Sequence, residues 1–218
     1  MPMLTDPATV AGLVVREVRT GSRDGGPTRI AVARRTYATD QADLWDALTN
    51  AERIPRWFLP VSGELKVGGR YQAEGNAGGV VEECEEPRRF AVTWEMGPQV
   101  SWLAIGLSAD GAGTVLELTH EMPVAPEFWD QYGPGAVGVG WDLALMALGL
   151  HLASGEQVDP EEGQAFPMTP EGTEFVRVAA RDWAEAAIRD GDDADAARAA
   201  GQRTVEFYTA GPEDDAQS

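Results

Sequence analysis

Two histidines and one cysteine leave this 218-residue chain little for nucleophilic or metal chemistry. His120 is the residue best placed for chemistry. In VLELTHEM it shares a strand face with Leu116, Leu118 and Met122, while Glu117, Thr119 and Glu121 share the other, so the alternation points it inward. An inward histidine in a cavity could orient a ligand or move a proton near neutral pH. The preferred reading is plainer, a histidine hydrogen-bonded at the end of a sheet, because a lone histidine is seldom catalytic. His151 falls late in an apolar helix, where a positive charge suits the carbonyl end, and receives no function. Cys84 stands between Glu83 and Glu85, whose charges oppose a thiolate, so a buried or half-buried inert thiol is expected. One cysteine can form neither an internal disulfide framework nor a structural metal site. Glu82, Glu83, Glu85 and Glu86 alternate across a strand and cannot converge on a cation. Nucleotide-binding, zinc-protease and nucleophile-elbow signatures are absent from the sequence. No cofactor and no metal are expected, and any catalysis would rest on confinement with a single acid or base.

The element that must position such residues is the stretch from Gly78 to Met96, GGVVEECEEPRRFAVTWEM, which reads as two strands joined at Pro87. Its second strand alternates Phe90, Val92, Trp94 and Met96 against Ala91, Thr93 and Glu95, giving one aromatic face that must be covered. Before it lie a strand at Arg29 to Tyr37, a helix capped by Thr39 or Asp40, and a shorter helical piece from Asn50 to Phe58 interrupted at Pro55. Around it run short strands at Val61 to Val67, Arg70 to Glu74, Val100 to Ser108 and Thr114 to Glu121, joined by glycine-rich turns. Short connections argue an antiparallel meander.

After a loop holding Pro126, Phe128, Trp129, Tyr132 and Pro134, the segment Gly138 to Ser154 places Trp141, Leu145, Leu148 and Leu152 on one helical stripe, widened by Leu143, Met146 and Leu150. A helix apolar over more than half its circumference is buried against something broad, and the sheet is the only candidate. Asp142 is read as a residue serving the start of that helix. Gln157 to Pro170 reads as a connector. Thr169 with Pro170 then opens a helix ended by Gly191, and Ala194 to Tyr208 forms another. The closing GPEDDAQS reads as frayed. The expected division is a lead-in at 1–28, in which SRDGGPT is a turn or linker, a compact domain at 29–154, and an acidic helical extension at 155–218.

The residues Arg56-Trp57-Phe58 before Pro60, the corner Val67-Gly68-Gly69-Arg70-Tyr71, and Gly79-Val80-Val81 followed by Glu83, Pro87, Arg89-Phe90 and Thr93-Trp94 stand in a telling order. Gly113-Thr114 before LELTHEM and Gly140-Trp141 opening the long helix complete the set. Over Arg29 to Ala153 this pattern resembles the START/Bet v 1-like (SRPBCC) superfamily, and within it the domain named for the activator of Hsp90 ATPase. The resemblance implies an α+β helix-grip fold: a curved antiparallel sheet wrapped around a long C-terminal helix, with a cavity between them. Nothing carries over to the helical extension.

The apolar bulk of Trp94, Met96, Leu103, Ile105, Leu118 and Trp141 exceeds what a thin two-layer core needs, in agreement with such a cavity. Its expected lining is Trp57, Phe58, Tyr71, Trp94, Trp102, Leu118, His120, Trp141 and Leu145. The first functional reading is binding of a small hydrophobic or aromatic molecule. The alternatives are a protein-interaction module or chaperone co-factor, as the family's name has it, and a cyclase- or aromatase-like enzyme using His120 or Tyr71. The net charge of −19, from 36 acidic and 17 basic residues, disfavours nucleic acid and anionic membranes as partners and offers a chaperone no evident match. No apolar run reaches the length of a membrane span and no signal peptide is evident, so a cytoplasmic protein is expected. The extension could close the cavity, form a homodimer interface, or enlarge the core.

Overall fold

A computed structural model describes residues 6–210; the opening MPMLT and the closing GPEDDAQS lie outside the described residues. Helix α1 (Pro7–Gly12) leads into strands β1 (Val15–Arg23) and β2 (Gly26–Tyr37). These two strands pair antiparallel from Val15↔Arg34 to Arg23↔Gly26. Their turn is Asp24-Gly25, with φ of 52° and 81°. Two consecutive positive φ angles give the tight hairpin that aspartate-glycine favours, so of the two readings of SRDGGPT, turn or linker, the turn is the one present. The lead-in thus supplies a full edge strand, and its hairpin crosses residue 28.

Helix α2 (Gln41–Thr49) begins where the Asp40 side chain accepts from the Asp43 amide, and a 3-10 turn (Ile54–Arg56) follows. Strands β3 (Val61–Gly63), β4 (Arg70–Ala73), β5 (Gly78–Glu85), β6 (Arg89–Met96), β7 (Gln99–Asp110) and β8 (Gly113–Pro123) complete an eight-stranded sheet in the order β1-β2-β8-β7-β6-β5-β4-β3. Every neighbouring pair in it is antiparallel. The meander expected from short glycine-bearing loops is therefore present.

Helix α3 (Pro126–Tyr132) occupies the stretch read as a loop, and the long helix α4 (Gly135–Ser154) starts three residues earlier than its stripe predicted. Ahead of the extension's main helices lie α5 (Pro160–Ala165) and a second 3-10 turn (Phe166–Met168), where a plain connector was expected. Helices α6 (Pro170–Asp190) and α7 (Ala194–Thr209) follow, α6 capped by Thr169 and ended by Gly191 at φ 110°.

The arrangement has three layers: sheet, α4, and the α6/α7 pair. Helix α6 packs on α4, α1 and β1, so the two flanks of the chain meet each other on the outer side of α4. Gly138 makes this approach close, since a Cβ there would sit 2.3 Å from the Trp183 ring. Asp142 lies well inside α4 and does not serve its start. Its carboxylate is fully buried, accepting from Arg16 Nε at 3.0 Å and Trp183 Nε1 at 2.8 Å. By length and composition α4 could cross a membrane, contrary to the expectation from its sequence. Coverage by the sheet on one side and α6 on the other accounts for that composition, as in the core helix of a soluble fold.

Candidate functional site

A hollow of about 1010 Å³, its open mouth included, lies between α4 and the concave side of the sheet. Trp141, Ala144 and Leu145 form its helical wall, Leu103, Ile105, Leu116 and Leu118 its floor, and Trp57, Phe58, Tyr71, Val92 and Trp94 its flanks. The lining includes no charged side chain among the described residues. Its aromatic rings support one another. Trp94 meets Trp141 edge to face at 5.2 Å, and Phe58 stacks on Trp141 at 6.4 Å and lies tilted against Trp57 at 5.5 Å.

The polar atoms of this wall are engaged by the protein itself. Trp57 Nε1 donates to the Ala47 carbonyl at 2.8 Å, Thr49 Oγ1 to the Trp45 carbonyl at 2.8 Å, and Tyr71 Oη to the Thr93 carbonyl at 2.7 Å. Burial also pushes the Tyr71 phenol upward, away from any role as a base near neutral pH. Trp141 Nε1 donates to His120 Nδ1 at 3.0 Å. That acceptor role leaves the proton of the neutral imidazole on Nε2, which lies 2.8 Å from Ser101 Oγ, and Ser101 in turn donates to the Trp94 carbonyl at 3.0 Å. Burial, leaving His120 only 4% exposed, pushes it down to about 4, so the ring is neutral at pH 7.

Of the nine residues expected to line the hollow, Trp57, Phe58, Tyr71, Trp94, Leu118, Trp141 and Leu145 do so. His120 points inward as its alternation requires, but the wall in front of it is Trp94 and Trp141, and it does not line the hollow. Trp102 is on the wrong face. Its neighbour Leu103 takes the inward position, and strand alternation turns Trp102 outward, under the Arg23 guanidinium at 4.3 Å. Met96, counted as apolar bulk, ends β6 at a hairpin and is 53% exposed.

Cys84 is exposed, against the expectation of a buried thiol, and lines the hollow. The cause is a bulge in β5. The register passes from Val81↔Val92 to Glu83↔Ala91, leaving Glu82 as an extra residue and exchanging the faces of everything beyond it. Without the bulge Glu83 and Glu85 would share the face of Val81; with it, Cys84 takes the hollow side opposite Phe90. With exposed Leu65, Cys84 marks the mouth. Ser101, the far end of the His120 relay, was not singled out by the sequence, where only its inward parity beside Leu103 could have marked it.

The chain matches the family described as activator of Hsp90 ATPase homolog 1-like protein over residues 38–153. Among solved structures, the crystal structure of CalU16 from Micromonospora echinospora is 27% identical with a TM-score of 0.62, covering 82% of this chain and 99% of CalU16. The solution structure of CalU16 gives 28%, 0.67, 82% and 97%. DynU16, a protein in the dynemicin biosynthetic locus, is 18% identical with a TM-score of 0.52, covering 59% of this chain and 48% of its own. No curated protein matches. The family match spans α2 to α4, the very elements that enclose the hollow, and with the eight-stranded grip around α4 it establishes this chain as a member of the activator of Hsp90 ATPase homolog 1-like family.

Proposed function

We propose that this protein binds a small hydrophobic or aromatic molecule in the hollow between sheet and α4. The observation that carries the reading is the wall itself, free of charged side chains and with its hydrogen-bonding groups turned to protein partners. Such a wall holds a ligand by shape, apolar burial and ring contacts. A catalytic reading finds less support: His120 stands behind the tryptophans, and the Tyr71 hydroxyl is held by Thr93. DynU16 belongs to a biosynthetic locus, but its distant likeness lends this chain a fold and no ligand. The chaperone role in the family's description is a separate proposal with no feature of this site behind it. A cytoplasmic location accords with a lone, exposed cysteine.

Native mass spectrometry of the purified protein, followed by denaturation and analysis of released material, tests the reading. A defined apolar adduct, or a melting temperature that rises with added apolar compounds, supports it. A bare chain that gains neither mass nor thermal stability from a panel of aromatic and polyene compounds rejects it.

A further inference from the structure

His120 is the buried titratable group for which ligand binding has no direct use, yet it stands at the junction of the two tryptophans that shape the hollow. It touches both rings, Trp94 at 6.3 Å and Trp141 at 5.9 Å between centroids. Through Nδ1 it accepts the only hydrogen that the Trp141 indole can donate, and through Ser101 it is linked to the backbone of Trp94. An apolar side chain in its place would leave the Trp141 N–H without a partner, and a buried N–H seeks another acceptor. Because the Trp141 ring itself lines the hollow, an indole freed from His120 could turn its N–H to a polar atom of whatever fills it. We propose that His120 is a positioning and specificity residue, which withdraws the Trp141 N–H from the hollow and so restricts the ligand to molecules whose buried end has no hydrogen-bonding group.

This inference rests on the ligand-binding reading and deepens it. It names the class: a hydrocarbon ring system or polyene end inside, with any polar group left at the mouth near Cys84 and Leu65. His120 acts through Trp141 and makes no contact with the ligand. Glutamine is the conservative replacement, because its amide offers an acceptor to Trp141 and a donor to Ser101. Leucine fills the space and offers neither.

The test compares two probes of one shape, fluorene and 9-fluorenone, which differ by a carbonyl. Their affinities are measured by quenching of tryptophan fluorescence for the wild type, His120→Leu and His120→Gln. The expected result is a shift of the affinity ratio toward 9-fluorenone by roughly fivefold or more in His120→Leu, the size of one added hydrogen bond, and a return to the wild-type ratio in His120→Gln. Equal ratios in all three proteins, with the wild type binding both probes, overturn the role of His120 and leave the binding reading intact. Failure of the wild type to bind either probe overturns both. Should His120→Leu not fold, nitrogen-15 spectra of the wild-type imidazole decide. A ring protonated on Nε2, with a slowly exchanging Trp141 indole proton in the presence of 9-fluorenone, supports the assignment, and a ring protonated on Nδ1 overturns it.

Discussion

Trp183 donates its indole N–H to Oδ2 of Asp142 at 2.8 Å, the same oxygen that Arg16 reaches at 3.0 Å. One carboxylate oxygen in the central helix thus holds both the N-terminal strand and the extension. Arg16 is held further by the carbonyls of Ala11 and Val14 and by Asp182. Asp142→Ala leaves this guanidinium buried without its principal partner, and a loss of about 3–5 kcal/mol is expected in urea unfolding. Trp183→Phe keeps the ring and removes the donor, for a loss of about 1–3 kcal/mol. An Asp142→Ala protein within about 0.5 kcal/mol of the wild type would contradict the pairing.

The pH dependence of stability joins two opposed groups. His120 is pushed down to about 4 by burial, so the unfolded chain takes up its proton first as pH falls. Its stabilisation is complete above the unfolded value near 6.5 and is lost as pH drops toward 4, about 3 kcal/mol in order of magnitude. Asp142 is raised to about 6, burial outweighing the attraction of Arg16. Here the folded state takes up the proton first, so its stabilising contribution is present below the unfolded value near 3.8 and fades as pH rises through 6. Between about 4.5 and 6 the two slopes oppose each other. Asp142→Asn should expose the His120 slope, with stability rising more steeply from pH 4.5 to 6.5 than in the wild type. Parallel urea profiles of the two proteins across that range would refute the assignment.

Filling the hollow should abolish binding without harming the fold. Ala144 faces the hollow from α4, and Ala144→Phe places a ring in space otherwise open to a ligand. Affinity for a neutral naphthyl probe should fall at least about tenfold, equivalent to about 1.4 kcal/mol, with an unchanged or raised melting temperature. Undiminished probe binding would locate the site elsewhere.

Cys84 provides a reporter at the mouth, because it is the only thiol in the chain and is exposed. Its labelling by a disulfide reagent should be fast in the empty protein and slow when the hollow is filled. Identical rates at saturating probe would show that the occupant does not reach β5.

Removal of the chain after Ser154 tests the extension. Helix α6 covers α4 through Gly138 and Trp183, so the shortened protein should expose that apolar face and lose near-ultraviolet dichroism or aggregate. A soluble product with wild-type tertiary signals would mean that the extension is not part of the core.

Much of this was legible from residue patterns. Alternation in β6 and β8 and the Trp141 stripe predict a meander covered by a long helix, and the motif order from Arg56 to Trp141 carries the family resemblance that implies the grip. Trp94, Leu118, Trp141 and Leu145 of the lining follow from these periodicities, while Trp57, Phe58 and Tyr71 stand in the family motifs. What escaped was relational. Trp102 and Leu103 cannot both face inward, and only pairing shows which one does. The β5 bulge that presents Cys84 has no signature in EECEE. Asp142 looks like any early helix residue until Arg16 and Trp183 arrive from distant parts of the chain. His120 was rightly turned inward, but sequence cannot tell a wall residue from one standing behind it.

The meeting of both flanks on Asp142 also sets an order for folding during synthesis. Arg16 and Asp182 are 166 residues apart, and the buried cluster cannot close until α6 has left the ribosome. Until then the nascent grip carries an unpaired guanidinium and the bare outer side of its central helix, the kind of surface that holdase chaperones capture. Docking of α6 is therefore the step that covers this surface and pairs the buried guanidinium.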